Sequence, residues 1–324
     1  MRSATYSKFG KPAEVLSIQD AAIPEPGPGQ IRIKTGLASI HNHDLLMVSG
    51  DYGVKPPLPS VGGTEAMGVV DAVGEGVTHL KPGQRVAASG QGTWADYYLA
   101  SAASAVPLPD AIDDETAAQL ISMPLSAVTL LDFVDAKSGD WLVQNAANGA
   151  VGKALAMFAK RRGVHVVNLV RRAEAVSELA DLGIADAIST DNPDWRSQVD
   201  KITGGARIKA GIDGVGGPSS GELLSLLADK GVLVSFGLMS GKPMELSAGD
   251  MIFKEAVAKG FWLSKIAPTL PADKMKSLIG EILEGVASGD VRLAVSAVFP
   301  LDEIGKAVAA AGEHHRKGKV LVKA

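Results

Sequence analysis

Along the first third of the chain, apolar and polar positions alternate in short runs. Ile31-Arg32-Ile33-Lys34 has the period of two that sends alternate side chains to opposite faces of a strand. The segment before it, Pro24-Glu25-Pro26-Gly27-Pro28-Gly29, is too rigid for a helix and reads as a connection between strands. Apolar runs such as Val69-Val70 and Arg85-Val86-Ala87 are cut at short intervals by Gly62-Gly63, Gly68, Gly74-Glu75-Gly76 and Pro82-Gly83. That rhythm predicts a compact, mostly antiparallel β domain.

From about residue 113 the pattern changes. Asp113-Asp114-Glu115 puts acids where the positive end of a helix dipole favours them, and alanine-rich apolar sequence follows. Beyond Trp141 the periods alternate. Strands read at 141–144, 165–170, 187–189, 211–213, 232–236 and 261–263, and helices at 151–162, 173–182, 195–202, 220–227 and 250–258. Such alternation predicts a parallel sheet covered by helices on both faces. The tail, with elements at 274–284, 301–311 and 319–322, is expected to return to the first domain. The fold class is therefore α/β. A β domain at 1–115 precedes a doubly wound domain at 116–264, and 265–324 completes the first domain.

Composition narrows this picture. The 324 residues are 46% apolar and 21% charged, enough for two cores and too apolar for a disordered chain. A net charge of −4 with no basic block argues against nucleic acid or an anionic membrane surface as partner. The absence of cysteine excludes disulfides, thiolate catalysis, iron–sulfur clusters and cysteine-ligated zinc. The longest uncharged stretch, 116–131, is too short for a membrane span and contains Pro124. With no signal- or transit-peptide pattern at the N-terminus, a soluble cytoplasmic protein is expected.

The most informative stretch runs from Trp141 to Gly152. An apolar strand passes through Asn145-Ala146-Ala147-Asn148-Gly149 into an alanine-rich helix, the setting in which helix N–H groups hold a dinucleotide pyrophosphate. Ala147 fills the first glycine position of the usual fingerprint, while Gly149 and Gly152 keep the close approaches. An NAD site carries an acid about 20 residues further on, to hold the ribose hydroxyls. Here, nineteen residues after Gly152, stand Arg171 and then Arg172. Guanidinium suits phosphate, so NADP(H) is the expected cofactor, against the alternative of two solvated arginines at a helix start.

These segments resemble the zinc-independent branch of the medium-chain dehydrogenase/reductases, and within it the 2-enoyl thioester reductases of the mitochondrial type. The resemblance covers nearly the whole chain. It rests on Ser49-Gly50-Asp51-Tyr52-Gly53, residues 58–65, Gly92-Thr93-Trp94, Gln144 to Asn148, Asp213-Gly214-Val215-Gly216-Gly217 and, most diagnostically, Gly260-Phe261-Trp262-Leu263-Ser264. It implies a GroES-like catalytic domain and a Rossmann cofactor domain, assembled as a homodimer. The implied reaction is NADPH-dependent reduction of the 2,3 double bond of an acyl thioester.

Carried onto this chain, the resemblance puts Asn148, Gly149, Ala150, Val151 and Gly152 along the pyrophosphate and Arg171 with Arg172 on the 2′-phosphate. Phe236, Gly237, Leu238, Met239, Phe261, Trp262 and Leu263 would flank the nicotinamide half, and Lys319 would lie near the cofactor. The chain departs from the family at Met123, where an asparagine is usual, and at Arg171-Arg172-Ala173, which shortens an arginine–acid–arginine clamp. Tyr52 matches the family's proton donor, since hydride addition leaves an enolate that needs a hydrogen bond and a proton. The structural alternative is a loop tyrosine packed on Pro56 and Pro57.

Zinc-using relatives place three ligands at positions matching His41, Thr64 and Met123. Threonine and methionine do not meet zinc's needs, so no metal is expected, and His41 and His43 read as loop hydrogen-bonders. His314-His315-Arg316-Lys317 reads as a solvated turn, and Trp94 as either core or a wall of the substrate cleft. The leading function is enoyl thioester reduction at an active site between the two domains. The rivals are an NADPH:quinone oxidoreductase and a non-catalytic NADPH-binding sensor.

Overall fold

The computed structural model describes residues 1–313 and 316–324; the expectation for His314 and His315 lies outside the described residues. The chain divides into two units, Met1–Ser122 with Leu293–Ala324, and Met123–Arg292.

In the first unit the strand Gln30–Ser39 is the hub. Its alternation buries Ile31 and Ile33 completely, and it pairs antiparallel with Glu65–Val73, Tyr97–Ser101 and Lys319–Lys323. The resulting seven-stranded sheet runs Val295–Pro300, Lys319–Lys323, Gln30–Ser39, Glu65–Val73, Arg85–Ser89, Val106–Pro107, with Tyr97–Ser101 set against Gln30–Ser39. Trp94 belongs to the core. It is fully buried, donates its indole N–H to the Ser39 carbonyl at 3.1 Å, and lies so close to Gly62 that a Cβ there would come within 2.3 Å of the ring.

The second unit carries six parallel strands in the order Ala187–Ser189, His165–Val170, Trp141–Gln144, Ile208–Asp213, Val232–Ser235, Val257–Gly260. The order reverses between Trp141–Gln144 and Ile208–Asp213, the point at which doubly wound sheets open a crevice for ligands. Two expected elements are displaced. The last helix of the alternation spans Ala248–Phe253, because the Ser247 hydroxyl caps Asp250 N–H at one end and Glu255, at φ 49°, turns the chain at the other. The strand expected at 261–263 lies at Val257–Gly260, paired residue for residue with Val232–Ser235, and Trp262 already caps the next helix, Leu263–Ile266.

Residues 265–292, expected with the return segment, pack in the second unit. The helix Ala272–Ala287 buries Leu278, Ile282 and Gly285, with Gly285 against Phe158 and Arg161. Arg162 grips both oxygens of Glu281, at 2.8 and 2.7 Å, and Lys274 reaches Asp132 at 2.6 Å. The return to the first unit begins at Leu293.

Candidate active site

In the first unit, chemistry gathers at the start of the helix Asn42–Ser49. His41 is its N-cap, and the Asp44 carboxylate accepts the His41 backbone N–H at 2.8 Å, one half of a capping box. The His41 ring is fully buried with Nε2 at 2.8 Å from Glu65 Oε2. Glu65, also fully buried, accepts the backbone N–H groups of Ile121 at 2.6 Å and Ser122 at 3.0 Å. Burial holds the His41 pKa well below its ordinary 6.5, so the ring is neutral and Nε2–H donates to Glu65. Burial likewise raises Glu65 above its ordinary 4.5, opposed by the bonds from Ser122 and Ile121.

His43 stacks on His41, ring centroids 5.0 Å apart, and its Nε2 lies 2.8 Å from the Thr64 hydroxyl. Thr64 in turn donates to Asp44 Oδ1 at 2.6 Å. Tyr52 stands beside His43, ring centroids 5.8 Å apart. Its place follows from the helix end: Gly50 takes the left-handed φ of 84° that closes the helix, and the Tyr52 N–H folds back onto the Leu46 carbonyl at 3.1 Å. Lys319, expected near the cofactor, lies in this unit with Nζ 3.5 Å from the Ile40 carbonyl. Burial pushes its pKa down to about 8 against the opposing charges of Asp44 and Glu65.

No motif along the chain marks Asp44 and Glu65 as site residues. One signal was available. Glu65 is an acid in a run of small and apolar residues, Gly62-Gly63-Thr64-Glu65-Ala66-Met67-Gly68, and a carboxylate in a strand destined for burial must find partners.

The second unit offers a different surface. Trp141–Gln144 leads through Ala146, at φ 46°, to Gly149, the exposed N-cap of the helix Ala150–Arg161. No side chain caps this helix and no acid stands in its first turn, so its N-terminal N–H groups are left for an anion. Gly152 lets the helix approach the strand: a Cβ there would lie 2.8 Å from the backbone of Ala146 and Ala147. Asp213 draws the neighbouring loop inward, accepting from Asn145 at 2.7 Å, from Val215 N–H at 2.9 Å and from Gly216 N–H at 3.0 Å.

Arg171 is exposed just past His165–Val170, and Arg172 caps the following helix, 3.5 Å from Glu174. Phe236 follows Val232–Ser235, Gly237 passes so near Gly214 that a Cβ would come within 2.6 Å of its carbonyl, and Leu238 and Met239 are exposed. Phe261 is buried edge-on against Phe133, while Trp262 and Leu263 are half-buried. These features fit a dinucleotide: a bare helix N-terminus, glycines where backbone must come close, and two arginines at the second strand's end.

The family model "Alcohol dehydrogenase GroES-like domain" matches residues 27–110, and "Zinc-binding dehydrogenase" matches residues 150–280. The human mitochondrial enoyl-[acyl-carrier-protein] reductase is 32% identical over 317 residues, covering 96% of this chain and 85% of that protein. The chain belongs to the zinc-independent medium-chain dehydrogenase/reductase family. The Caenorhabditis elegans enoyl-[acyl-carrier-protein] reductase of the family is 34% identical over 90% of this chain and 86% of its own. Among solved structures, a putative NADPH:quinone reductase from Bacillus thuringiensis superposes with a TM-score of 0.92 at 29% identity, covering 100% of this chain and 98% of that one. Escherichia coli quinone oxidoreductase in complex with NADPH gives 0.88 at 25% identity over the full length of both chains.

Among the described residues, no group of three His, Asp or Glu side chains is arranged to hold a metal ion. The Thr64 hydroxyl is engaged by His43 and Asp44. Protein purified without a tag is expected to carry far less than one zinc per chain, measured by elemental analysis. Activity lost to a chelator and restored by zinc would contradict this.

Proposed function

We propose that this protein is an NADPH-dependent reductase that adds hydride to the β-carbon of a carbonyl-conjugated alkene, specifically a 2-enoyl thioester. The observation that carries the cofactor is the bare glycine-capped helix at Ala150–Arg161 joined to arginines, not an acid, beyond His165–Val170. NADPH bound there supplies the hydride. Asn148 to Gly152 hold the pyrophosphate, Arg171 and Arg172 the 2′-phosphate, and Phe236 to Met239 with Phe261 to Leu263 flank the nicotinamide half. In the first unit, Tyr52 gives its phenolic hydrogen bond to the enolate oxygen and its proton to the α-carbon. A phenol with an ordinary pKa near 10 stays protonated at neutral pH and can do both.

The thioester is favoured by the names of the curated relatives, which are enoyl-[acyl-carrier-protein] reductases. The second reading, a quinone reductase, is favoured by the solved structures, several of which are quinone reductases. Oxidation of NADPH in the presence of short and medium enoyl thioesters, and separately of simple quinones, decides between them. Tight NADPH binding with turnover of neither would favour a sensor instead. The reading includes a cytoplasmic homodimer. Val257–Gly260 is the edge strand of its sheet, with Ile252, Phe253 and Val257 exposed beside it for a second copy to cover. No helix among the described residues is long and apolar enough to cross a membrane.

NADPH is expected to bind more tightly than NADH by roughly ten- to a hundred-fold, the worth of one charge-assisted phosphate contact. Replacing Arg171 and Arg172 together by alanine should erase most of that preference while leaving NADH binding unchanged, as titration calorimetry would measure. Equal dissociation constants for the two cofactors in the unmodified protein would remove the basis for the assignment.

A further inference from the structure

The proposed chemistry leaves one problem open on the tyrosine side. Each turnover takes a proton from Tyr52, and the phenolate left behind must regain one. His43 stands beside it, and the hydrogen bonds around His43 fix where its Nε2 points. Thr64 has a single hydroxyl proton and gives it to Asp44 Oδ1 at 2.6 Å. The Thr64 oxygen can therefore only accept from His43, so Nε2 carries a proton, 2.8 Å away. Nδ1 is then the nitrogen left to exchange a proton. The ring is part-exposed, with 23% of its side-chain surface open, whereas His41 behind it has none. His41 stacks on the ring, Tyr52 lies beside it with ring centroids 5.8 Å apart and tilted at 32°, and the Asp44 carboxylate lies 3.5 Å from Nε2. Glu65 is spent on His41, Ile121 and Ser122, and Lys319 donates to Ile40.

We infer that His43, oriented by the Thr64–Asp44 pair, returns a proton from solvent to Tyr52 after each turnover. This rests on the reductase reading above. The Tyr52 O–H bond breaks as the α-carbon–hydrogen bond forms. The phenolate then takes the proton from Nδ1 of the His43 imidazolium, which reverts to the neutral ring. Water reprotonates Nδ1, and one solvent proton is consumed per turnover. The Asp44 carboxylate, coupled through Thr64, steadies the cation in between. A buried histidine such as His41 could not exchange with solvent in this way; a part-exposed one can.

The test is steady-state reduction of a crotonyl-type thioester by the intact protein. His43→Ala should lower kcat roughly ten- to a hundred-fold, within the low end of acid–base contributions, with KM for NADPH unchanged. Added imidazole should restore the lost rate in proportion to its concentration. His43→Gln keeps an N–H for Thr64 and so protects the fold, yet should lose the same rate as the alanine variant. In a Tyr52→Phe background neither substitution should cost anything further, and imidazole should rescue nothing, since His43 acts through Tyr52. Full kcat in His43→Ala and His43→Gln overturns the inference alone. So does a loss that imidazole does not restore and that adds to the loss from Tyr52→Phe. Absence of any thioester turnover by the unmodified protein overturns the inference together with the proposed function.

Discussion

Tyr52→Phe should lose on the order of 10²-fold or more in turnover of an enoyl thioester, the range for a positioned general acid, while NADPH binding stays nearly untouched. The phenol's interaction is made in the transition state, with an enolate that does not exist in the ground state. Its removal should therefore lower kcat and kcat/KM together. Quinone reduction ends in a stabilised hydroquinone anion that solvent can protonate, so the same variant should lose much less with a quinone. Cofactor affinity has to be measured alongside, because Tyr52 follows directly on the helix end at Gly50 and a shifted loop would imitate a chemical effect. Undiminished thioester activity in the variant would show that the proton comes from elsewhere.

Glu65→Ala should be the most destabilising of the substitutions considered. It strips the partner from the His41 ring and from the N–H groups of Ile121 and Ser122, all at a fully buried site. Leaving a buried neutral donor unsatisfied costs about 1–3 kcal/mol for each group, which a urea or thermal midpoint would register directly. A loss below about 1 kcal/mol would mean that the cluster relaxes around the missing carboxylate. The same site gives stability a pH dependence. An unfolded histidine takes up a proton near 6.5, while buried His41 resists it, so stability should fall as the pH drops below that value. Glu65, whose pKa burial raises above 4.5, acts in the opposite sense at lower pH, partly offsetting the loss.

What could be read from the sequence follows from how local each signal is. The strand–loop–helix at Trp141 to Gly152 is contiguous, and so are the arginines beyond the second strand. Both are visible in a linear reading because each uses one turn of backbone. Likewise, the alternating periods beyond Trp141 follow from each strand and helix burying one face of its own. The His41–Glu65 pair is different. It joins residues 24 positions apart and is completed by Ile121 and Ser122, 56 and 57 positions from Glu65. No local pattern announces such a set. The helix Ala272–Ala287 escaped for a related reason: its amphipathic face is plain, but which unit receives that face is decided by Phe158, Arg161 and Arg162, far away in the chain. The ends of the two displaced elements turned on the Ser247 cap and the positive φ of Glu255, details smaller than any period.

The interrupted first unit has a consequence for how the protein is made. Its sheet needs Lys319–Lys323 as an interior strand, hydrogen-bonded to Val295–Pro300 on one side and Gln30–Ser39 on the other. On the ribosome, the strands of the first unit emerge early and must wait, incomplete, while the whole of Met123–Arg292 is synthesised. The inserted unit can close around its own parallel sheet during that interval, since domains fold as units while synthesis proceeds. The unit carrying Tyr52, His43 and Glu65 can finish only after the strand beginning at Lys319 has left the exit tunnel. Completion of the first unit thus waits on the last stretch of chain to be made.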